Sequence, residues 1–154
     1  MGMESFFINI RIPKEHNKDF IEFNNSLSVL LDSINYKTKQ INPNFFLVNE
    51  LIDIKLYETD SFYEMHLMGC FSCYELSCNM INDLTCIFCE YFNATLLQIG
   101  GERIDISKNV VYQNYIEIIN KEYEKMYQWF RNNLTDKIIN TSPSDFYNKL
   151  KRKK

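Results

Sequence analysis

Proline and glycine are scarce in this 154-residue chain, at three and four, and tryptophan occurs only once. So few breakers exclude a linker-like or low-complexity protein. With 45% hydrophobic and 15% aromatic residues, the composition is globular, and no long segment reads as disordered. Long hydrophobic runs are also missing. The longest are a few residues, such as Val29-Leu30-Leu31, so no membrane span is expected. The opening MGMESFFINIRIP has no basic start followed by an apolar run, as a secretory signal would. Gly2 suggests myristoylation, but Phe6 stands where that motif needs Ser or Thr. Phosphate-loop patterns are absent around Gly100-Gly101. No strand combines basic and aromatic residues as in an RRM, so nucleic acid is not expected as a partner.

What is present is one domain's length of chain, 1–154, with enough apolar residues for a real core. Five cysteines, an odd number, without an export signal imply reduced thiols and a cytoplasmic protein. The net charge of −3 hides an asymmetry. The last six residues, KLKRKK, carry five positive charges, which leaves 12 basic against 20 acidic residues, a body at −8. An acidic body favours basic partners, and the basic tail reads as a solvated end.

Apolar spacing then predicts the elements. Phe6, Ile8, Ile10 and Ile12 alternate up to Pro13, a strand. Phe20, Phe23, Leu27, Leu30, Leu31 and Ile34 fall at helical spacing, predicting a helix from near Lys14 to Asn35. INPN at 41–44 is a turn. Phe46, Val48, Ile52, Ile54 and Leu56 share one parity, predicting a single second strand. ETDS at 58–61 turns into a third strand with Tyr63, Met65, Leu67 and Phe71 on one face. Positions 74–93 lack Gly and Pro, and Met80, Ile81, Leu84, Ile87, Phe88 and Tyr91 share one helical side. A short strand at 95–99 turns through Gly100-Gly101 into 102–106. Tyr112, Tyr115, Ile116, Ile119, Tyr123, Met126, Tyr127 and Phe130 make a wide stripe on a final long helix, and Thr141-Ser142-Pro143-Ser144 opens a short terminal one.

The order β-α-β-β-α-β is ferredoxin-like. The expectation is an α+β fold with a four-stranded antiparallel sheet and two helices on one face. Residues 1–107 form this core with its short hairpin, and 108–154 add the C-terminal helices and basic tail. The long Tyr-rich helix is expected to cover the sheet's other face or to pack on a second subunit of a homodimer.

All five cysteines lie between Cys70 and Cys89, four of them as Cys70-x2-Cys73 and Cys86-x2-Cys89. Two such pairs can form a zinc site, with four sulfurs at about 2.3 Å from one ion. A helix over 74–93 separates Cys73 from Cys89 by roughly 24 Å along its axis, which excludes that site. We therefore expect no metal and no cofactor. On that helix Cys78, Cys86 and Cys89 are expected on a half-exposed flank, as small hydrophobes. His16 reads as a surface residue. His66 shares a strand face with Glu64 and Cys70, but i and i+4 on a strand lie about 13 Å apart, too far for a Cys-His catalytic pair. No catalytic residues are expected.

Acidity is the uneven feature. Glu50, Asp53, Glu58, Asp60 and Glu64 fall within fifteen residues, opposed by Lys55 alone. A solvated hairpin tip explains this. So does a docking surface for a basic protein, with Glu50, Asp53, Tyr57, Glu58, Asp60 and Glu64 as its residues, because Tyr gives contact area and carboxylates steer. Asp53, Glu58 and Asp60 are expected at or near the surface.

In overall character, though in no motif, the chain resembles the small immunity proteins of bacterial contact-dependent inhibition and polymorphic toxin systems. The likeness lies in its acidic body, its Asn-, Ile- and Lys-rich composition and its single α+β domain. The resemblance implies a non-enzymatic cytosolic protein that binds and neutralises a toxin, often a basic nuclease. The alternative is a small-molecule-binding regulatory domain of ACT-like topology.

Overall fold

The computed structural model describes residues 5–14, 19–70, 74–100, 102–103 and 113–133. Strand β1 (Ser5–Pro13) lies inside the sheet, with Phe6, Ile8, Ile10 and Ile12 all buried on one face, as its alternation predicts. The chain then enters helix α1 (Phe20–Ser33). Asp19 caps it, accepting the Glu22 backbone N–H at 2.8 Å. The helix thus begins later than its apolar spacing suggests. The signal is the Asp-x-x-Glu of positions 19–22, a capping pattern.

Helix α1 delivers the chain to the far edge of the sheet. Strand β2 (Thr38–Asn42) lies there and pairs with β3 (Phe45–Val48). Strand β3 turns into β4 (Ile52–Glu58), and β4 into β5 (Phe62–Cys70), which closes against β1. Helix α2 (Tyr74–Phe92) follows, then β6 (Thr95–Ile99) on the other side of β1 and the short β7 (Glu102–Arg103). Among the described residues the sheet has seven strands in the order β2-β3-β4-β5-β1-β6-β7, every neighbouring pair antiparallel. Helix α3 (Gln113–Asn133) is the last described element.

The fold is α+β as expected, but the exact ferredoxin-like sheet is not matched: the run β4-β5-β1-β6 has that order, and β2, β3 and β7 extend the sheet beyond it. The expected second strand is a hairpin. Val48 pairs with Ile52 and Phe46 with Ile54, so the hairpin sets even-numbered residues against even-numbered ones on a single face. Its parity is therefore that of one continuous strand, and alternation cannot reveal the turn. The turn itself uses Asn49 (φ 50°) and Glu50 (φ 57°) rather than glycine. Strand β2 escaped notice because Lys39, Gln40, Ile41 and Asn42 are all exposed and show no alternation.

The three described helices lie on one face of the sheet. Phe23 of α1 stacks on Tyr63 of β5, with ring centres 4.2 Å apart and planes at 8°. Such a pair adds about 0.5–1.5 kcal/mol beyond the area that it buries. Helix α2 is continuous over its predicted span and buries Met80, Ile81, Leu84 and Phe88. Gly69 lets it come close. A Cβ there would stand 2.7 Å from Ile81 Cδ1 and 3.1 Å from Ile52 Cδ1. The helix ends at Asn93 (φ 52°), and the Ala94 N–H bonds the Cys89 carbonyl at 3.1 Å. This is a Schellman stop with asparagine in glycine's place.

Helix α3 does not cover the opposite face, contrary to the expectation from the sequence. It packs beside α2 and β6 on the helical side. Tyr123, fully buried, meets Phe6 with ring centres 4.8 Å apart, and Ile119 is also fully buried. The physical reason is the width of the sheet. Strand β6 extends it past α2, and Leu96, Ile99 and Phe6 lose water only under a further element. The same packing corrects the cysteine flank at Cys78, whereas Cys86 and Cys89 are half-buried as expected. Cys78 is buried against α3, its thiol 3.4 Å from Asn120 Oδ1, which also accepts from Asn82 Nδ2 at 2.8 Å. Tyr112 lies outside the described residues, as do the side chains of Tyr115, Ile116, Met126 and Phe130 and the expected terminal helix. Among the described residues, no helix is long and apolar enough to cross a membrane.

Candidate functional site

The six residues expected to dock a partner sit on or beside β4, and the strand's geometry divides them. Glu50 belongs to the turn before β4 and Asp60 to the turn after it. The strand between runs from Ile52 to Glu58, so the two turns lie roughly 20 Å apart at 3.3 Å per residue. Asp53 is the clear correction. It is fully buried, although a carboxylate in an acidic, turn-rich stretch was expected at or near the surface. It stands across from Met68 and Leu47 on the face away from the helices. Tyr57 and Glu64 share that face at its other end, where they are register partners. Tyr57 remains 46% exposed.

Glu58 and Asp60 stay outside, at the end of the sheet where β4 turns into β5 and β1 ends. The backbone holds this end tightly. Thr59 N–H bonds the Phe62 carbonyl at 2.9 Å, the Thr59 hydroxyl donates to the same oxygen at 2.8 Å, and Lys14 N–H reaches the Ser61 carbonyl at 3.3 Å. Lys14 pairs with Glu58 at 2.8 Å and hangs over the Tyr63 ring, 5.0 Å from its centre. The hydrogen bond to Glu58 raises the Lys14 ammonium above its ordinary pKa.

Helix α1 begins beside the same turn and brings two more carboxylates, Asp19 and Glu22. The aromatic contacts fix this approach. Phe20 stands 6.1 Å from the Tyr63 ring, and Phe23 stacks on it. The Tyr63 phenol registers the gathering. Burial raises its pKa first, Lys14 lowers it, and Glu58, Asp19 and Glu22 raise it again. Four carboxylates from two distant segments therefore share one end of the molecule. Lys14 is the cation described among them. Sequence density pointed to Glu58 and Asp60 but missed Asp19 and Glu22, which come from another element. Their only sequence signal was the capping pattern, which fixes a helix start and not its neighbour. The C-terminus of α2 reaches this end as well. Phe92 meets Phe23 at 5.3 Å, and the adjoining Tyr91 is 58% exposed.

Farther along the outer face, His66 lies in contact with Tyr57, ring centres 4.5 Å apart, and 3.8 Å from Glu64. Burial lowers its pKa, while Glu64 pulls it back up and Lys55 lowers it further. Arg11 lies 3.9 Å above the Phe62 ring, and Lys55 stands 5.6 Å from Phe45. Two shallow hollows open on this side. One, of about 240 Å³, is lined by Asn42, Asn44, Phe45, Lys55, Leu56 and Tyr57. The other, of about 550 Å³, follows the β2 edge past Lys39, Ile41, Leu47 and Glu50.

Cys86 and Cys89 lie a turn apart on α2 with no break in the helix, while Cys73 and the Cys70 side chain fall outside the described residues, as does His16. Burial pushes the Cys89 thiol up to about 12 and the Cys78 thiol to about 11. Neither holds a useful thiolate fraction near neutrality, the opposite of what a nucleophile or redox cysteine requires.

No family model, curated protein or solved structure matches this chain.

Proposed function

We propose that this chain is a non-catalytic binding protein, an immunity protein that neutralises a basic toxin domain in the cytosol. The docking surface in this reading is the acidic end of the sheet. Glu58, Asp60, Asp19 and Glu22 steer the partner, and Tyr57 with Glu64 on the adjoining outer face adds contact area. The observation that supports it is the convergence of α1's first turn with the β4–β5 turn. That convergence concentrates negative charge beyond what either segment carries alone. Such a field speeds encounter with a basic partner and weakens as salt rises. Asp53 is buried and Glu50 lies at the other end of β4, so both drop out of the surface. The ACT-like alternative drew on a four-stranded ferredoxin-like sheet, and this sheet carries three further strands, β2, β3 and β7.

The test begins with the protein encoded beside this chain, copurified and then titrated. Reversing Glu22, Glu58 and Asp60 to Lys should weaken binding by on the order of a few kcal/mol and flatten its salt dependence. Asp19 is left in place because it caps α1. Glu50→Lys is the matched control and should change little. Equal affinity for the triple variant would remove the acidic end from the interface. A retained metabolite in place of a protein partner would favour the alternative.

A further inference from the structure

The hollow beside Tyr57 bears on what kind of side chain the partner presents, an argument that rests on the docking reading above. It lies on the outer face where the β2–β3 turn meets the end of β4, and it measures about 240 Å³. Its walls are the half-buried Phe45 ring, the Tyr57 ring and buried Leu56. Each of the two amides around it makes one bond within the lining. Asn42 Oδ1 accepts from the Asn44 N–H at 2.9 Å, and Asn44 Nδ2 donates to the Leu56 carbonyl at 3.3 Å. The charged lining group is Lys55, held 5.6 Å from the Phe45 ring centre. Outside, the charge reverses. Glu58 follows Tyr57 in the chain, and Glu64 is its partner across the ladder.

We propose that this hollow takes one aromatic or large apolar side chain of the protein partner, while the carboxylates around it hold the partner's lysines or arginines. A basic side chain would meet the Lys55 ammonium inside and finds its complement only at the rim. An aromatic side chain meets two rings and loses no hydrogen bond of the lining. A central apolar anchor within a charged surround is also how binding energy concentrates at protein interfaces. The partner's docking surface is thus basic with an aromatic or apolar residue at its middle.

The hollow can be tested without the partner. The full-length ¹⁵N-labelled chain is titrated with N-acetyl-phenylalaninamide and, separately, with N-acetyl-lysinamide. Saturable shifts at the backbone amides of Phe45, Lys55 and Tyr57 with the aromatic probe, and none with the lysine probe, are expected. Tyr57→Ala should weaken the aromatic probe about tenfold or more. Tyr57 is half exposed, so the variant keeps the fold, and its unchanged remaining spectrum confirms this. Lys55→Met should leave the aromatic probe bound. The proposal is overturned if neither probe shifts these amides, if Tyr57→Ala binds as wild type does, or if the lysine probe binds equally well. Failure here leaves acidic docking standing. Failure of the triple charge reversal removes the acidic end of the sheet from the interface and leaves the hollow's preference as measured.

Discussion

Two turns bracket β4, and the acidic residues along it meet different fates: Asp53 beside the first turn is buried, whereas Glu58 and Asp60 at the second are exposed. At the first, Asn49-Glu50-Leu51, the backbone enters the left-handed region twice, Leu51 is buried, and Asp53 two residues on is fully buried. At the second, Thr59-Asp60-Ser61, the chain stays out of that region, and Glu58 and Asp60 face water beside Lys14. One composition spans both turns. What separates them is what the rest of the fold places nearby. The second end meets the start of α1 and gains two carboxylates, while beyond the first Asp53 lies directly across from Met68 of β5. A run of like charges along a sequence is therefore no patch until the topology is known.

Charge reversal breaks the comparison most strongly. Asp53→Lys puts an ammonium where a carboxylate is fully buried and should cost about 3–5 kcal/mol in denaturant unfolding. Glu58→Lys, at the exposed end, should cost no more than about 1 kcal/mol, since exposed pairs contribute little. Equal losses would mean that the two carboxylates share one environment.

Backbone strain sharpens the contrast on a smaller scale. Glu50 adopts φ 57°, where a side chain costs roughly 1–2 kcal/mol, so Glu50→Gly should raise the unfolding midpoint. Asp60 lacks that conformation, and Asp60→Gly should lower the midpoint through the freedom that it gives the unfolded chain. Midpoint shifts of one sign at both turns would contradict the geometry.

The smallest effect is a titration. His66 has a folded pKa below its ordinary 6.5 because burial disfavours its charged form, with Lys55 adding to this and Glu64 opposing it. The unfolded chain thus binds the proton more readily. The stability that His66 contributes is present above about 6.5 and falls away as pH drops toward its folded value. His66→Gln should flatten stability between pH 7 and 5. A slope unchanged by the substitution would assign it to other groups.

Legibility in the sequence followed the strength of periodicity. Strand β1, the β4–β5 hairpin and α2 stood out because each buries one face and repeats its apolar residues at 2.0 or 3.6, and β6 stood out as a short apolar run before Gly100. The β3–β4 turn was hidden because its register preserves parity. Strand β2 was hidden because it has no buried face. Half of the candidate site was visible as acidic density in Glu58 and Asp60. The other half, Asp19 and Glu22, lies about forty residues away in the chain, and no local signal connects the two.

By itself, the sequence determined the elements whose residues must leave water. It also determined the start of α1 at its cap and the stop of α2 at Asn93, because these depend on neighbours within a few positions. Only the tertiary structure decided which carboxylates meet, which one is buried, and on which face α3 lies. Those outcomes depend on how strands order themselves in a sheet and on how far its apolar face extends beyond the first two helices. Both are properties of the assembled surface that no single segment carries.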